Sequence, residues 1–240
     1  MIRRSDHNHW LLIDQIEHAR ISAELATEWA DPDWISFHQQ WPIIEAIAHH
    51  DDGWKDWDSC PQIAPETGMP RDFTEMRLED STDIWRRSVE ACLQFSPLSG
   101  QWVSHHFCWL AEQALSNRTD EQDRAAAHSF LEDQQLLIRN SLAESRIGLR
   151  WLQTFDRLSL WLCCTPAAEP RTLGTSSGQS IHMSFADPEK PDLNPWPFRS
   201  DRVQVQTNCR RVRATHYRRG DFQNALKSSD VTGIRWLLQR

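Results

Sequence analysis

Phe155-Asp156-Arg157-Leu158-Ser159-Leu160-Trp161-Leu162-Cys163-Cys164-Thr165-Pro166 is the stretch in which the chain changes character. Before it, apolar residues recur every three or four positions, and Leu149, Leu152, Leu160 and Cys163 share a stripe with Asp156, as in an amphipathic helix. From Pro166 the period stops: Pro166, Pro170, Pro188, Pro191, Pro195 and Pro197 are half of the chain's 12 prolines. Alternation replaces it, so Ile181 to Phe185, Val203 to Val212 and Gly233 to Leu238 are expected to be short strands. The predicted fold is mainly α: a helical domain over residues 1–165, then a basic, Pro-rich β appendage over 166–240, a small antiparallel sheet packed on the bundle.

Working outward, a first helix over about residues 8–30 puts Leu11, Gln15, His18, Ser22, Leu25 and Trp29 on one stripe. A second begins near Trp41-Pro42, runs through Ile43, Ile44, Ile47 and Ala48, and stops at Gly53. Residues 55–80, with Pro61, Pro65, Gly68 and Pro70, read as a long ordered loop, and such loops are often functional. Further helices are expected at about 81–95, 97–116, 119–144 (Thr119 and Gln122 forming a capping box) and 146–164.

Composition narrows the class. The 240 residues are 39% hydrophobic and 25% charged with mean hydropathy −0.64, which disfavours both long disorder and a membrane protein. No apolar run approaches the roughly 18 residues of a spanning helix, and Met1 to Trp10 lacks the apolar centre of a secretory signal, so a cytoplasmic location is expected. Six cysteines without a C-x-x-C pair fit reduced thiols rather than zinc ribbons or disulfides. The net charge of −8 hides an asymmetry: residues 166–240 carry 12 basic against 7 acidic residues, a net of +5, which leaves −13 for residues 1–165.

Thirteen Trp and eleven His are the unusual counts, and the histidines fall in telling places. His18 lies on the inward stripe. His50 has Ala46 and Ile47 one turn back, whereas His49 has Glu45, so His50 faces the core and His49 lies behind it. His106 is flanked by Trp102, Val103, Trp109 and Leu110, while His105 has Gln101 and Cys108. A carboxylate at Asp156 on an apolar stripe must be paired or bound to a cation. One such group would be an ordinary buried polar residue. Several helices aiming imidazoles and carboxylates at one core point to a metal, since only a cation uses so many acceptors at once.

The order His18, then His50-Asp51, then His106, then Asp156 resembles the HD superfamily of metal-dependent phosphohydrolases, with Asp156-Arg157-Leu158 resembling its late Asp-Arg-Leu helix. That resemblance implies His18, His50, Asp51 and Asp156 as ligands of a first metal and His106 as a ligand of a second. The chain also resembles a bacterial family known only as domain of unknown function 3891. Gln15-Ile16-Glu17-His18-Ala19, His50-Asp51-Asp52-Gly53-Trp54 with Trp57-Asp58, Gly68-Met69-Pro70-Arg71-Asp72-Phe73, Val103-Ser104-His105-His106 and Asp156-Arg157-Leu158-Ser159-Leu160 carry the likeness.

In a two-metal centre Asp51 would bridge the ions, which lower the pKa of a shared water and stabilise charge on a phosphate oxygen. Imidazole with carboxylate suits one or two ions of Fe, Mn, Co, Ni or Zn better than Mg or Ca. Asp52, next to the bridge, is the candidate catalytic acid or base; Gln15, His49 and His105 are expected to support the ligands, and Trp54, Trp57, Trp102 and Trp109 to wall a pocket. The function expected is an HD-like hydrolase of a phosphate ester or other small anionic substrate. An HD-like diiron oxygenase and a non-catalytic, metal-stabilised sensor or interaction protein are the alternatives. Arg202, Arg210, Arg211, Arg213, Arg218 and Arg219 leave nucleic acid open as a partner, but only Tyr217 interleaves them, and docking of this segment on the acidic bundle accounts for the charge equally well.

Overall fold

His9-Trp10-Leu11-Leu12-Ile13 fits a helical stripe and a strand equally well, and in the computed structural model it is strand β2 (His9–Ile13), paired with β1 (Ile2–Asp6). The structure describes residues 1–117, 120–139, 143–166, 169–175, 178 and 180–240. Helices follow as α1 (Gln15–Glu28), α2 (Pro32–Gln40), α3 (Ile43–His49), α4 (Lys55–Ser59), α5 (Leu78–Leu93), α6 (Pro97–Asn117), α7 (Glu121–Ile138) and α8 (Ala143–Cys163). The C-terminal part contains β3 (Arg171–Gly174), β4 (Ser180–Asp187), β5 (Lys190–Asn194), β6 (Arg202–Arg213), α9 (Arg219–Ser228) and β7 (Val231–Gln239).

The fold class is therefore mixed α/β, not a mainly α bundle with a C-terminal appendage. Two antiparallel sheets form, ordered β1-β2-β6-β7 and β3-β4-β5. The first unites the two ends of the chain, with Trp10 opposite Val212 and Val205 opposite Trp236. In β6 the expected alternation holds: Val203, Val205, Thr207 and Cys209 are buried and the residues between them exposed. The first helix starts at Gln15 rather than near residue 8, α2 and α9 were not anticipated, and the loop after residue 55 contains α4. Asp120, not Thr119, caps α7; Thr119 lies outside the described residues. Among the described residues all six cysteines are free thiols, and no helix is long and apolar enough to cross a membrane.

Two devices fix the helices that matter for the site. Glu17 and Arg20 of α1 bond Thr207 Oγ1 and the Gln206 carbonyl of β6, which turns His18 toward the bundle. Arg4 of β1 reaches the carbonyls of Leu162 and Cys164 and caps the C-terminal end of α8, where helix carbonyls lack partners. Much of the tryptophan goes into the core: Trp34 packs edge-on to Phe155 at 4.8 Å, and Trp29 does so at 5.3 Å. Such pairs add about 0.5–1.5 kcal/mol each beyond the area they bury. They anchor the α8 face that precedes Asp156.

Candidate metal centre

Helix α3 ends at His49, and the backbone turns out of the helix across His50 (φ −59°, ψ −23°) and Asp51 (φ −108°, ψ 17°). In a continuing helix consecutive side chains diverge by about 100°. Here the turn lets His50 and Asp51 converge. The reason the chain can turn so tightly against the bundle is Gly53: a Cβ there would lie 2.1 Å from the Ile84 carbonyl oxygen and 2.7 Å from the Ser88 nitrogen, both on α5. Its own N–H donates to Ser88 Oγ at 3.0 Å. Gly53 is thus required by close approach of α5, not by the left-handed helix stop that its position suggests.

Four donors meet at this turn. Asp51 Oδ2 lies 2.9 Å from His18 Nε2 and 3.8 Å from His50 Nε2. Asp156 Oδ1, from α8, lies 3.6 Å from His18 Nε2 and 3.4 Å from His50 Nε2. His18, His50 and Asp51 are buried, and their ligand atoms lie within 4.8 Å of one another; Asp156 is more open, its side chain 16% exposed. Ligands about 2.0–2.2 Å from a zinc-like ion sit roughly 3.0 Å apart at right angles and roughly 3.4 Å apart at tetrahedral angles. The observed separations bracket those edges.

The hydrogen bonds point the same way. His50 Nδ1 donates to the Ile47 carbonyl at 2.8 Å, which leaves Nε2 as the ring atom turned to the carboxylates, and that buried Nε2 has no hydrogen-bond partner. His18 Nδ1 meets Ser159 Oγ at 2.7 Å, leaving Nε2 toward the carboxylates. Burial by itself would lower the His50 pKa, but Asp51 and Asp156 outweigh it and hold it up at about 9. Burial likewise works against ionised Asp51 and Asp156, and the surrounding imidazoles override it, keeping both carboxyls below the usual carboxylate range. A cation would take the place of the His50 proton in this charge balance, so the donor set fits a divalent metal.

His106, on α6, joins from the far side of Asp156. Its Nε2 is 3.9 Å from Asp156 Oδ2, its ring 5.8 Å from that of His50, and its buried Nδ1 has no partner. Burial pushes its pKa down to about 4, so this imidazole is neutral. Asp156 therefore faces His18 and His50 with one oxygen and His106 with the other.

The remaining sequence candidates are spread around this cluster. Asp52 turns its Oδ2 to Lys55 Nζ at 2.8 Å and His49 Nδ1 at 3.1 Å. His49 also stacks on Phe95 at 4.4 Å. Gln15 is buried with its Oε1 unpartnered, and its backbone N–H donates to Asp58 Oδ2 at 2.6 Å, which holds the first turn of α1. His105 is half-buried, its pKa lowered by burial and by Arg146. Trp54 packs with Met76 and Ile84 with Trp57 beside them, Trp102 is fully buried against Gly148, and Trp109 is 36% exposed. Ser159 is the residue to which the sequence gives no role of its own. Its signal is there in part, since it stands one turn after Asp156 on the same helix.

No curated protein and no solved structure matches the chain at a significant level. A family described as a protein of unknown function matches residues 1–214, a span that includes both N-terminal strands, all of β6 and every residue of the histidine and aspartate cluster, and the chain belongs to that family, DUF3891.

Proposed function

We propose that the protein is an HD-like, metal-dependent hydrolase acting on a phosphate ester or another small anionic substrate. The observation that carries the reading is the buried Nε2 of His50, without a hydrogen-bond partner and 3.4 and 3.8 Å from two carboxylates that also flank His18 Nε2. The order of these residues along the chain, an early His, an adjacent His-Asp pair and a late Asp, supports the HD-like assignment. A divalent cation in this place supplies Lewis acidity, lowering the pKa of a coordinated water and offsetting charge on a phosphate oxygen.

The chain's own residues supply the rest. Asp51 and Asp156 bring two negative charges, which balance a divalent ion, so the loaded site does not repel an anionic substrate. His106, kept neutral by burial, offers a lone pair beside Asp156 Oδ2, so His106 and Asp156, rather than the Asp51 expected from the sequence to be shared, would be the residues to hold a second ion. Asp52, next to Asp51 in the chain and bonded to partly exposed His49 and Lys55, is the residue that in this reading passes a proton between the site and solvent.

The test is elemental analysis of protein purified without added metal, followed by an optical spectrum and a panel of phosphomonoesters and phosphodiesters with each first-row metal. Close to one or two ions per chain together with turnover of a phosphate ester is the expected result. Iron charge-transfer bands with oxygen consumption would replace this reading by the diiron oxygenase. A fully occupied site with no turnover across the panel would make it a metal-stabilised interaction protein.

A further inference from the structure

The two histidines present the same nitrogen, Nε2, to the carboxylates by different means. His50 sits at the end of a helix, where its Nδ1–H finds the carbonyl of Ile47 three residues back. His18 lies inside α1, where the carbonyls of its own helix are already committed to backbone bonds. Its Nδ1 partner must come from another element, and it comes from α8: Ser159 Oγ at 2.7 Å. Ser159 is fully buried, and its hydroxyl has two further neighbours, the Asp156 carbonyl at 2.9 Å and Ser22 Oγ at 2.6 Å. Ser22 in turn donates to the His18 carbonyl at 3.0 Å.

This arrangement decides which way the protons run. A hydroxyl has one proton to donate and room to accept. Ser159 has two acceptors for its proton, the Asp156 carbonyl and Ser22 Oγ, so its oxygen stays free to accept from His18 Nδ1–H. Without a cation, His18 Nε2 bonds Asp51 at 2.9 Å; with one, Nε2 must give up its hydrogen, and Nδ1 must then carry the proton. We infer that Ser159 is the positioning residue of this site: it holds His18 as the Nδ1–H tautomer, leaves Nε2 to a transition-metal cation, and ties that imidazole to the main chain of a second ligand, Asp156. This rests on the reading of His18 as a ligand. Partners of this kind, beyond the ligands themselves, are worth roughly 10- to 100-fold in metal affinity.

The experiment measures Zn²⁺ affinity of the full chain by competition with a chromogenic chelator, without reference to any turnover. Ser159→Ala is expected to weaken binding about 10- to 100-fold, and Ser159→Thr, which restores the hydroxyl, to recover most of that loss. Ser22→Ala removes an equally buried hydroxyl that touches no ligand ring, and is expected to stay within a few-fold of the parent. Nitrogen-15 NMR of the zinc-loaded parent should show the His18 proton on Nδ1. Unchanged affinity in Ser159→Ala, an equal loss in Ser22→Ala, or a proton on Nε2 overturns the inference while leaving the metal site standing. Failure of the parent to bind zinc, or binding undiminished by His18→Ala, overturns both. If Ser159→Ala fails to fold, the His18 tautomer in the zinc-loaded parent and the affinity of Ser159→Thr still decide.

Discussion

Asp51 and Asp52 are neighbours and both contact histidine, yet they occupy opposite surroundings. Asp51 is buried against His18 and His50, with Asp156 on their other side. Asp52 bonds His49 and Lys55, the latter side chain 56% exposed. Among the described residues no lysine or arginine forms an ion pair with the inner carboxylates, which are balanced by protonated imidazole or by a cation. The outer pair has its own lysine and is balanced in place. A turn of one residue thus separates a buried cluster that could hold a metal ion from a carboxylate paired with a partly exposed lysine.

The largest effect comes from breaking the inner side. Asp51→Ala should reduce bound metal to background and abolish turnover together, measured by elemental analysis and assay of the same preparation. Leaving buried charge unpaired should also lower the stability of the metal-free protein, by about 3–5 kcal/mol in denaturant unfolding. A variant that keeps its metal would erase the distinction between the two carboxylates. On the outer side, Asp52→Asn is expected to retain fold and full metal content while slowing turnover roughly 10²- to 10⁴-fold. Metal loss in Asp52→Asn would show that the outer pair belongs to the inner one.

Gly53 joins the two sides to the bundle. Gly53→Ala must push apart the backbone of α5 at Ile84 and Ser88, and should cost about 1–3 kcal/mol by the same unfolding measurement. A neutral substitution would mean that the turn does not depend on this close approach. The smallest effect is one of pH. His50 is held up at about 9 in the metal-free protein, so a cation binding at pH 7 must displace a proton. Apparent metal affinity should therefore rise about tenfold per pH unit up to pH 9 and level off above it, read by chelator competition in buffers of equal ionic strength. An affinity independent of pH between 7 and 9 would show that His50 is already deprotonated.

What was legible depended on the range of the interaction. The stripe Gln15, His18, Ser22, Leu25 identified the buried face of α1 correctly, although it was extended backward through a strand. Leu11 is buried in the strand, as the helical stripe also expected, so apolar periodicity over five residues does not separate the two. The pairing of Trp10 with Val212 spans nearly the whole chain and leaves no local trace. The four tryptophans expected as a pocket wall separated into core and surface positions, because a Trp flanked by apolar residues serves either purpose.

Sequence alone determined the buried face of α1 and parts of those of α3, α6 and α8, because a helical period is a local property that burial of one face imposes on every few residues. It also determined the chemistry those helices offer, imidazole and carboxylate. The tertiary structure decided the rest: that the chain's two ends close one sheet, that Asp51 turns inward and Asp52 outward, that Gly53 meets the backbone of α5, and that Ser159 reaches a histidine 141 positions earlier. Each of these is a contact between elements brought together by folding, and its geometry is set by packing rather than by the residues on either side.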